Sequence, residues 1–341
     1  MSFARAILIS CVLLAAALVL SVAFGPVYIP PGTVLALFLA RAGGAALPAD
    51  ATGTFSTILF ELRLPHALLI LMTGAALAGS GASYQGLFRN PLADPYLIGV
   101  ASGAGLGAVI AMSIRWPADL IGLYVIPAAA FAGAVATVLI VYSLARYGRS
   151  LPTTTLILAG VAVSSFATSL TSFLMLRSTE ELRRATGWLL GGSLMSGWQP
   201  VLAVLPYVAV GLAILVTSGH ALNVLQFGEE QASQMGLPAE RVKFLLLLAA
   251  SLTAASAVAF AGIIGFIGLI VPHLVRLLWG ADYRRLIPLS IISGGTALLI
   301  ADLMARVVLQ PQVVPVGIVT ALAGAPFFLW VLRRAKNQGY W

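Results

Sequence analysis

Charged side chains are scarce in this chain: Asp, Glu, Lys and Arg make up 9% of its 341 residues, where a soluble domain carries about 25%. A surface so poor in charge cannot face water over most of its area, which excludes an ordinary soluble globular domain. Cysteine is almost missing as well. Cys11 alone, inside an apolar run, builds neither a disulfide nor a cysteine-rich metal site. No G-x-x-x-x-G-K-S/T segment occurs, so the polypeptide has no P-loop with which to bind ATP, and no H-E-x-x-H pair marks an intramembrane enzyme. Carboxylates and histidines hardly enter the apolar runs. Asp302 is the clear exception, with Arg306 four residues on. A proton- or sodium-coupled carrier, which needs charged relays inside its spans, is thereby disfavoured, and the energy for any transport must come from outside the polypeptide.

What the chain has in quantity is apolar sequence, 60% of all residues, with a mean hydropathy of +1.02. A window of about 19 residues finds ten stretches, at 6–28, 64–88, 96–114, 120–144, 153–176, 201–217, 244–263, 266–279, 286–308 and 316–332. These predict an all-α, polytopic integral membrane protein with about ten transmembrane helices, forming a single domain over residues 1–341. The eighth is the least regular, because Gly262, Gly265 and Gly268 crowd its start and Pro272 interrupts it. The first reads as a span rather than a cleaved signal peptide, since it is long enough to cross and many others follow.

An even number of spans puts both termini on one side. Of the 19 basic residues, 12 fall in connections on the side of the N-terminus and 7 on the other, which places both termini in the cytoplasm. The net charge of +8 would raise nucleic acid as a partner of a soluble protein. Here the basic residues sit between apolar runs, so the lipid bilayer is the partner and nucleic acid is not. Many of the 34 glycines lie inside spans, among them Gly74, Gly79, Gly81, Gly103 and Gly107, where they favour close helix packing.

Two cytoplasmic connections are informative. Residues 218–243 include FGEEQASQMGLPAERVK: Gly228 breaks the chain, Glu229 and Glu230 suit the first turn of a short helix, Gly236 caps it, and Pro238 opens another. The result would be a rigid knob. In LFRNPLADPYLIG, Pro91 and Pro95 restrict the residues before them and fix a turn. His220 and His273 have no second ligand at metal spacing, so no metal site or cofactor is expected.

The stretches LRLPH (Leu62–His66), QGLFRNPLADPYLIGVASGAGLG (Gln85–Gly107), LILAGVAVS (Leu156–Ser164), GFIGLIVPHLVR (Gly265–Arg276), ADLMAR (Ala301–Arg306) and PVGIVTALAGAPFFLWVL (Pro315–Leu332) follow one another in an order that resembles the permease subunits of bacterial importers of the FecCD type. These belong to ABC systems for iron-siderophore, haem or vitamin B12. The resemblance implies a type II ABC importer permease of the inner membrane that pairs with a second copy of itself, two cytoplasmic ATP-binding subunits and an extracytoplasmic substrate-binding protein. A metal chelate, with cobalamin as the alternative cargo, would pass between the two copies. It also implies roles for particular residues. Arg63 and Arg306 match the arginines that dock the binding protein, with His66 standing where the family has a second arginine. Asn90 and Leu92, with Thr153, Thr154 and Thr155, match a cytoplasmic gate, and Gly228, Glu229, Glu230 and Gly236 fall on the loop that couples to the ATPase. The residues alone leave alternatives: Arg63 as an interfacial anchor, Arg306 as the partner of Asp302, and the threonines as caps of a helix start.

Overall fold

The structure is a computed structural model, and it describes residues 3–43, 53–114, 116, 120–146, 151–176, 179–193, 195–310 and 312–337. Arg115, Arg149 and Arg177, which enter the charge asymmetry above, lie outside the described residues. The described residues form helices and no strand. In chain order the helices are α1 (Phe3–Ala23), α2 (Pro31–Arg41), α3 (Gly53–Thr57), α4 (Leu64–Leu87), α5 (Val100–Met112), α6 (Leu120–Ala145), α7 (Thr153–Met175) and α8 (Thr179–Leu189). There follow α9 (Trp198–Thr217), α10 (Gly219–Leu225), α11 (Glu229–Gln234), α12 (Ala239–Ala261), α13 (Ile267–Trp279), α14 (Tyr283–Val307) and α15 (Val316–Asn337). A π-helical turn, Ile58–Arg63, joins α3 to α4.

Each of the ten apolar stretches carries a helix, but the helices differ in length. Among the described residues, seven helices are long and apolar enough to span a bilayer, while α2, α5, α13 and the apolar part of α15 are shorter. The third stretch does not run as one helix: a 3-10 turn at Pro95–Ile98 stops at Gly99 (φ 90°), and α5 then has 13 residues, or about 20 Å. The eighth behaves alike, starting after Phe266 (φ 71°) and also giving 13 residues. Pro272 does not break α13. The carbonyl four residues before it, at Gly268, receives no N–H from Pro272 and lies against Gly81 of α4, where any Cβ would collide with it.

The centre of the molecule is α4, flanked by α14, α12 and α13, and its residues 73–87 are buried without interruption. With lipid as solvent no hydrophobic drive brings helices together, so close contact must supply the attraction. Gly74 and Gly294 face each other across α4 and α14, and Gly103 and Gly133 do so across α5 and α6, each leaving no room for a Cβ. The glycines therefore act in packing. The outermost helices present large apolar side chains outward, for example Leu8 and Val12 on α1 and Leu158 and Phe166 on α7.

Candidate functional site

At one end of the bundle Arg63, His66 and Arg306 converge on the C-terminus of α1. That helix ends with carbonyls that have no intrahelical partner. Arg63, closing the π-helical turn, donates through Nη1 to the carbonyls of Val22 (2.8 Å) and Ala23 (3.0 Å) and through Nη2 to that of Val27. Arg306, in the last turn of α14, donates through Nη1 to the Phe24 carbonyl (3.1 Å) and through Nη2 to the carbonyl (3.1 Å) and hydroxyl (2.8 Å) of Ser21. Its Nε lies 2.9 Å from Asp302 Oδ2, and the other carboxylate oxygen lies 2.9 Å from His66 Nε2. Asp302 is buried and the Arg306 side chain is 12% exposed. The arginines are thus not free surface cations: their donors bind this chain, and the pairing of Arg306 with Asp302 is present.

At the opposite end, the turn after α4 is held by more than its prolines. Arg89 takes a left-handed conformation (φ 50°), Asn90 Oδ1 accepts from the Leu92 N–H (2.9 Å), and Asp94 Oδ1 accepts from Tyr96 N–H (2.7 Å). Burial pushes the Asp94 carboxyl up to about 6, against the pull of that hydrogen bond. Tyr96 in turn donates to the Ile264 carbonyl (2.8 Å), in the irregular segment before α13. The threonines open α7, with Thr153 as its first residue. They are not its cap, because Pro152 occupies that position without a side-chain bond. Thr154 and Thr155 are exposed.

The connection at 218–243 folds as two short helices and a tight turn. Gly228 (φ 109°) precedes α11, whose first turn holds Glu229 and Glu230; Gly236 (φ 86°) ends it, and Pro238 precedes α12. Phe227 and Met235, at the two ends of α11, are each 63% exposed. This knob is bolted to the bundle by side chains. Gln226 Nε2 donates to the Gly86 carbonyl in the last turn of α4 (2.9 Å), and Asn223 Nδ2 to Asp282 Oδ1 (2.6 Å). Asp282 caps α14, and its hydrogen bond with Arg284 holds its carboxyl down at about 2. Lys243, one turn into α12, is buried and contacts Glu229 Oε1 (2.8 Å), the Leu151 carbonyl (3.1 Å) and Glu240 Oε1 (3.3 Å).

Gln226, Asn223 and Lys243 were not singled out by sequence reasoning. For Lys243 a signal existed: a lysine at the start of an apolar run, three residues after a glutamate. Among the described residues no three His, Cys, Asp or Glu side chains gather as a metal site.

A family model described as the FecCD transport family matches residues 13–334, almost the whole chain. The chain belongs to the FecCD transport family. It is 48% identical over 280 residues to the cobalamin import system permease BtuC of Halobacterium salinarum, covering 82% of this chain and 74% of that one. It is 38% identical over 318 residues to the hemin transport system permease HmuU of Yersinia pestis, covering 89% and 93%. A solved metal-chelate type ABC transporter in an inward-facing conformation superposes with a TM-score of 0.82 at 29% identity, over 97% of this chain and 99% of the other. This FecCD-family chain is a multi-pass membrane permease of the ABC importer class, with the fold that its sequence predicted.

Proposed function

We propose that this permease is the membrane-spanning subunit of an ATP-driven importer for a metal chelate, a ferric siderophore or haem. It works as a pair of copies in the cytoplasmic membrane, with both termini inside, two cytoplasmic ATPases below and an extracytoplasmic binding protein above. The observation that carries this reading is the match of nearly the full chain to a metal-chelate transporter fold, in a sequence with no ATP-binding loop of its own. The α11 knob, with Phe227 and Met235 exposed at its ends, supports an ATPase docking point. The outward face of α7 supports a path between copies: Thr154, Thr155, Ser165, Thr168, Ser169 and Ser172 are all exposed on a helix that lipid alone would favour as apolar. Arg63, His66 and Arg306 then serve docking of the binding protein, and Asn90, Leu92 and Thr153–Thr155 the inner gate, as the family resemblance implies.

Cobalamin is the second reading of the cargo, favoured by the 48% identity to a cobalamin permease. Purifying the tagged chain with its partners from native membranes, reconstituting it in vesicles and offering labelled haem, ferric siderophore and cobalamin decides both matters. ATP-dependent uptake of a chelate is the expected result. Uptake driven by an ion gradient without a copurifying ATPase would overturn the reading in favour of a secondary carrier.

A further inference from the structure

Lys243 is a buried cation in a chain with few charges. Its side chain is 5% exposed, and an ammonium without partners at that depth would be strongly disfavoured. It carries three N–H donors, and the structure supplies three oxygens within reach: Glu229, Glu240 and the backbone carbonyl of Leu151. Those oxygens belong to different parts of the molecule. Glu240 shares α12 with the lysine. Glu229 is the first residue of α11, the knob assigned above to the ATPase. Leu151 precedes Pro152, which opens α7 and the threonines assigned to the gate.

The Leu151–Pro152 junction suits a lever. Pro152 sits at φ −64° and cannot rotate about that bond, and it restricts the residue before it. Leu151 itself is buried. A pull on the Leu151 carbonyl therefore reaches Thr153 through a stiff segment and is not absorbed by a flexible loop. We propose that Lys243 is a positioning residue that transmits movement of α11 to the start of α7, so that an ATPase acting on the knob moves the gate threonines. The proposal rests on the permease reading above and adds to it a physical link between two sites 74 residues apart in sequence, Glu229 and Thr155. Glu240 is not part of that link, because it ties Lys243 only to its own helix.

The test uses the purified assembly in vesicles, with Cys11 replaced by serine and a cysteine at Thr154 as an accessibility probe. Three variants are compared: Lys243→Met, Glu229→Gln and Glu240→Gln. Cargo taken up per ATP hydrolysed is measured together with the ATP-dependent change in labelling of the probe by a water-soluble thiol reagent. Losing a charge-assisted hydrogen bond in the link is expected to lower the uptake-to-hydrolysis ratio about tenfold in Lys243→Met and Glu229→Gln. ATP hydrolysis continues in both, and the ATP-dependent labelling change at Thr154→Cys disappears. Glu240→Gln keeps both the ratio and the labelling change. Should Lys243→Met fail to assemble, Glu229→Gln decides, since it takes the charge out of the link at its partly exposed end. Unchanged coupling and labelling in Glu229→Gln, or equal loss in Glu240→Gln, overturns the proposal and leaves Lys243 as a fold anchor. A wild-type assembly that shows no ATP-driven uptake overturns the permease reading, and the link with it, whereas a transporting wild type with an unaffected Glu229→Gln variant overturns the link alone.

Discussion

Replacing Asp302 with alanine isolates the electrostatic knot at the end of α1. The carboxylate is buried and divides its oxygens between Arg306 and His66, each at 2.9 Å. Removing one member of a buried charge pair costs about 3–5 kcal/mol, mostly because the remaining charge is left without its counterion. Arg306 keeps three other acceptors, the Phe24 carbonyl and both oxygens of Ser21, so the lower end of that range, about 3 kcal/mol, is expected. Arg306→Ala strips the same pair from the other side and frees the α1 carbonyls too. Because the two residues act as one unit, the double variant should cost less than the sum of the singles, with a coupling of about 1–3 kcal/mol. The assay is equilibrium unfolding of the purified chain in mixed micelles by SDS titration, for wild type, both singles and the double. Additive costs would refute the pairing as an energetic unit, whatever the distances.

Three further outcomes follow from the same geometry. If Arg63 and Arg306 dock a binding protein by charge, the half-buried Arg63 contributes about 0.2–1 kcal/mol, so Arg63→Gln should weaken docking by at most about fivefold and lysine by less; docking affinity unaffected by salt would remove the charge assignment. A bulky apolar residue at Thr154 or Asn90 should alter leak or uptake in assembled complexes, and normal transport by both would remove the gate assignment. Asp94 has its carboxyl raised from 3.8 to about 6, so its charged form is disfavoured in the folded chain. Its contribution to stability is greatest below pH 3.8 and falls as the pH rises through about 6, a slope that should vanish in Asp94→Asn, whose amide oxygen still caps Tyr96. Unfolding midpoints between pH 4 and 7 for both proteins check it.

The positions of the helices were legible because a bilayer demands long apolar runs, and those runs were plain in composition. Their lengths were less so. Hydropathy could not show that Gly99 and Phe266 adopt left-handed conformations and shorten α5 and α13, since an apolar residue reads the same in a helix and in buried irregular backbone. The knob at 228–238 was readable in detail, because glycine, proline and acidic residues at helix ends obey local rules. Its attachments were not. Gln226 reaches the Gly86 carbonyl 140 positions away, and no local rule identifies a backbone acceptor at that separation. Arg306 shows the same limit, since the i,i+4 pairing with Asp302 was visible in sequence whereas its grip on Ser21 was not.

These long-range polar contacts explain how a bundle packed largely through small and apolar residues settles on one arrangement. Apolar faces in lipid slide at little cost, because lipid tails compete equally for the same surface. Directional bonds do not slide. At one end, His66 to Asp302, Arg306 to Ser21 and Arg63 to Val22 fix α1, α4 and α14 relative to one another. At the other, Gln226 to Gly86 and Asn223 to Asp282 fix the knob to α4 and α14. Helix α7 is different: 11 of its 23 side chains are exposed in the single chain, and its polar ties to the bundle include the hydroxyl pair Ser102–Ser164 at 3.1 Å and, through Leu151, the Lys243 contact. Its directional ties are thus fewer than those that hold α1, α4 and α14 together. A gate at the start of α7 would sit where the leverage from the knob arrives.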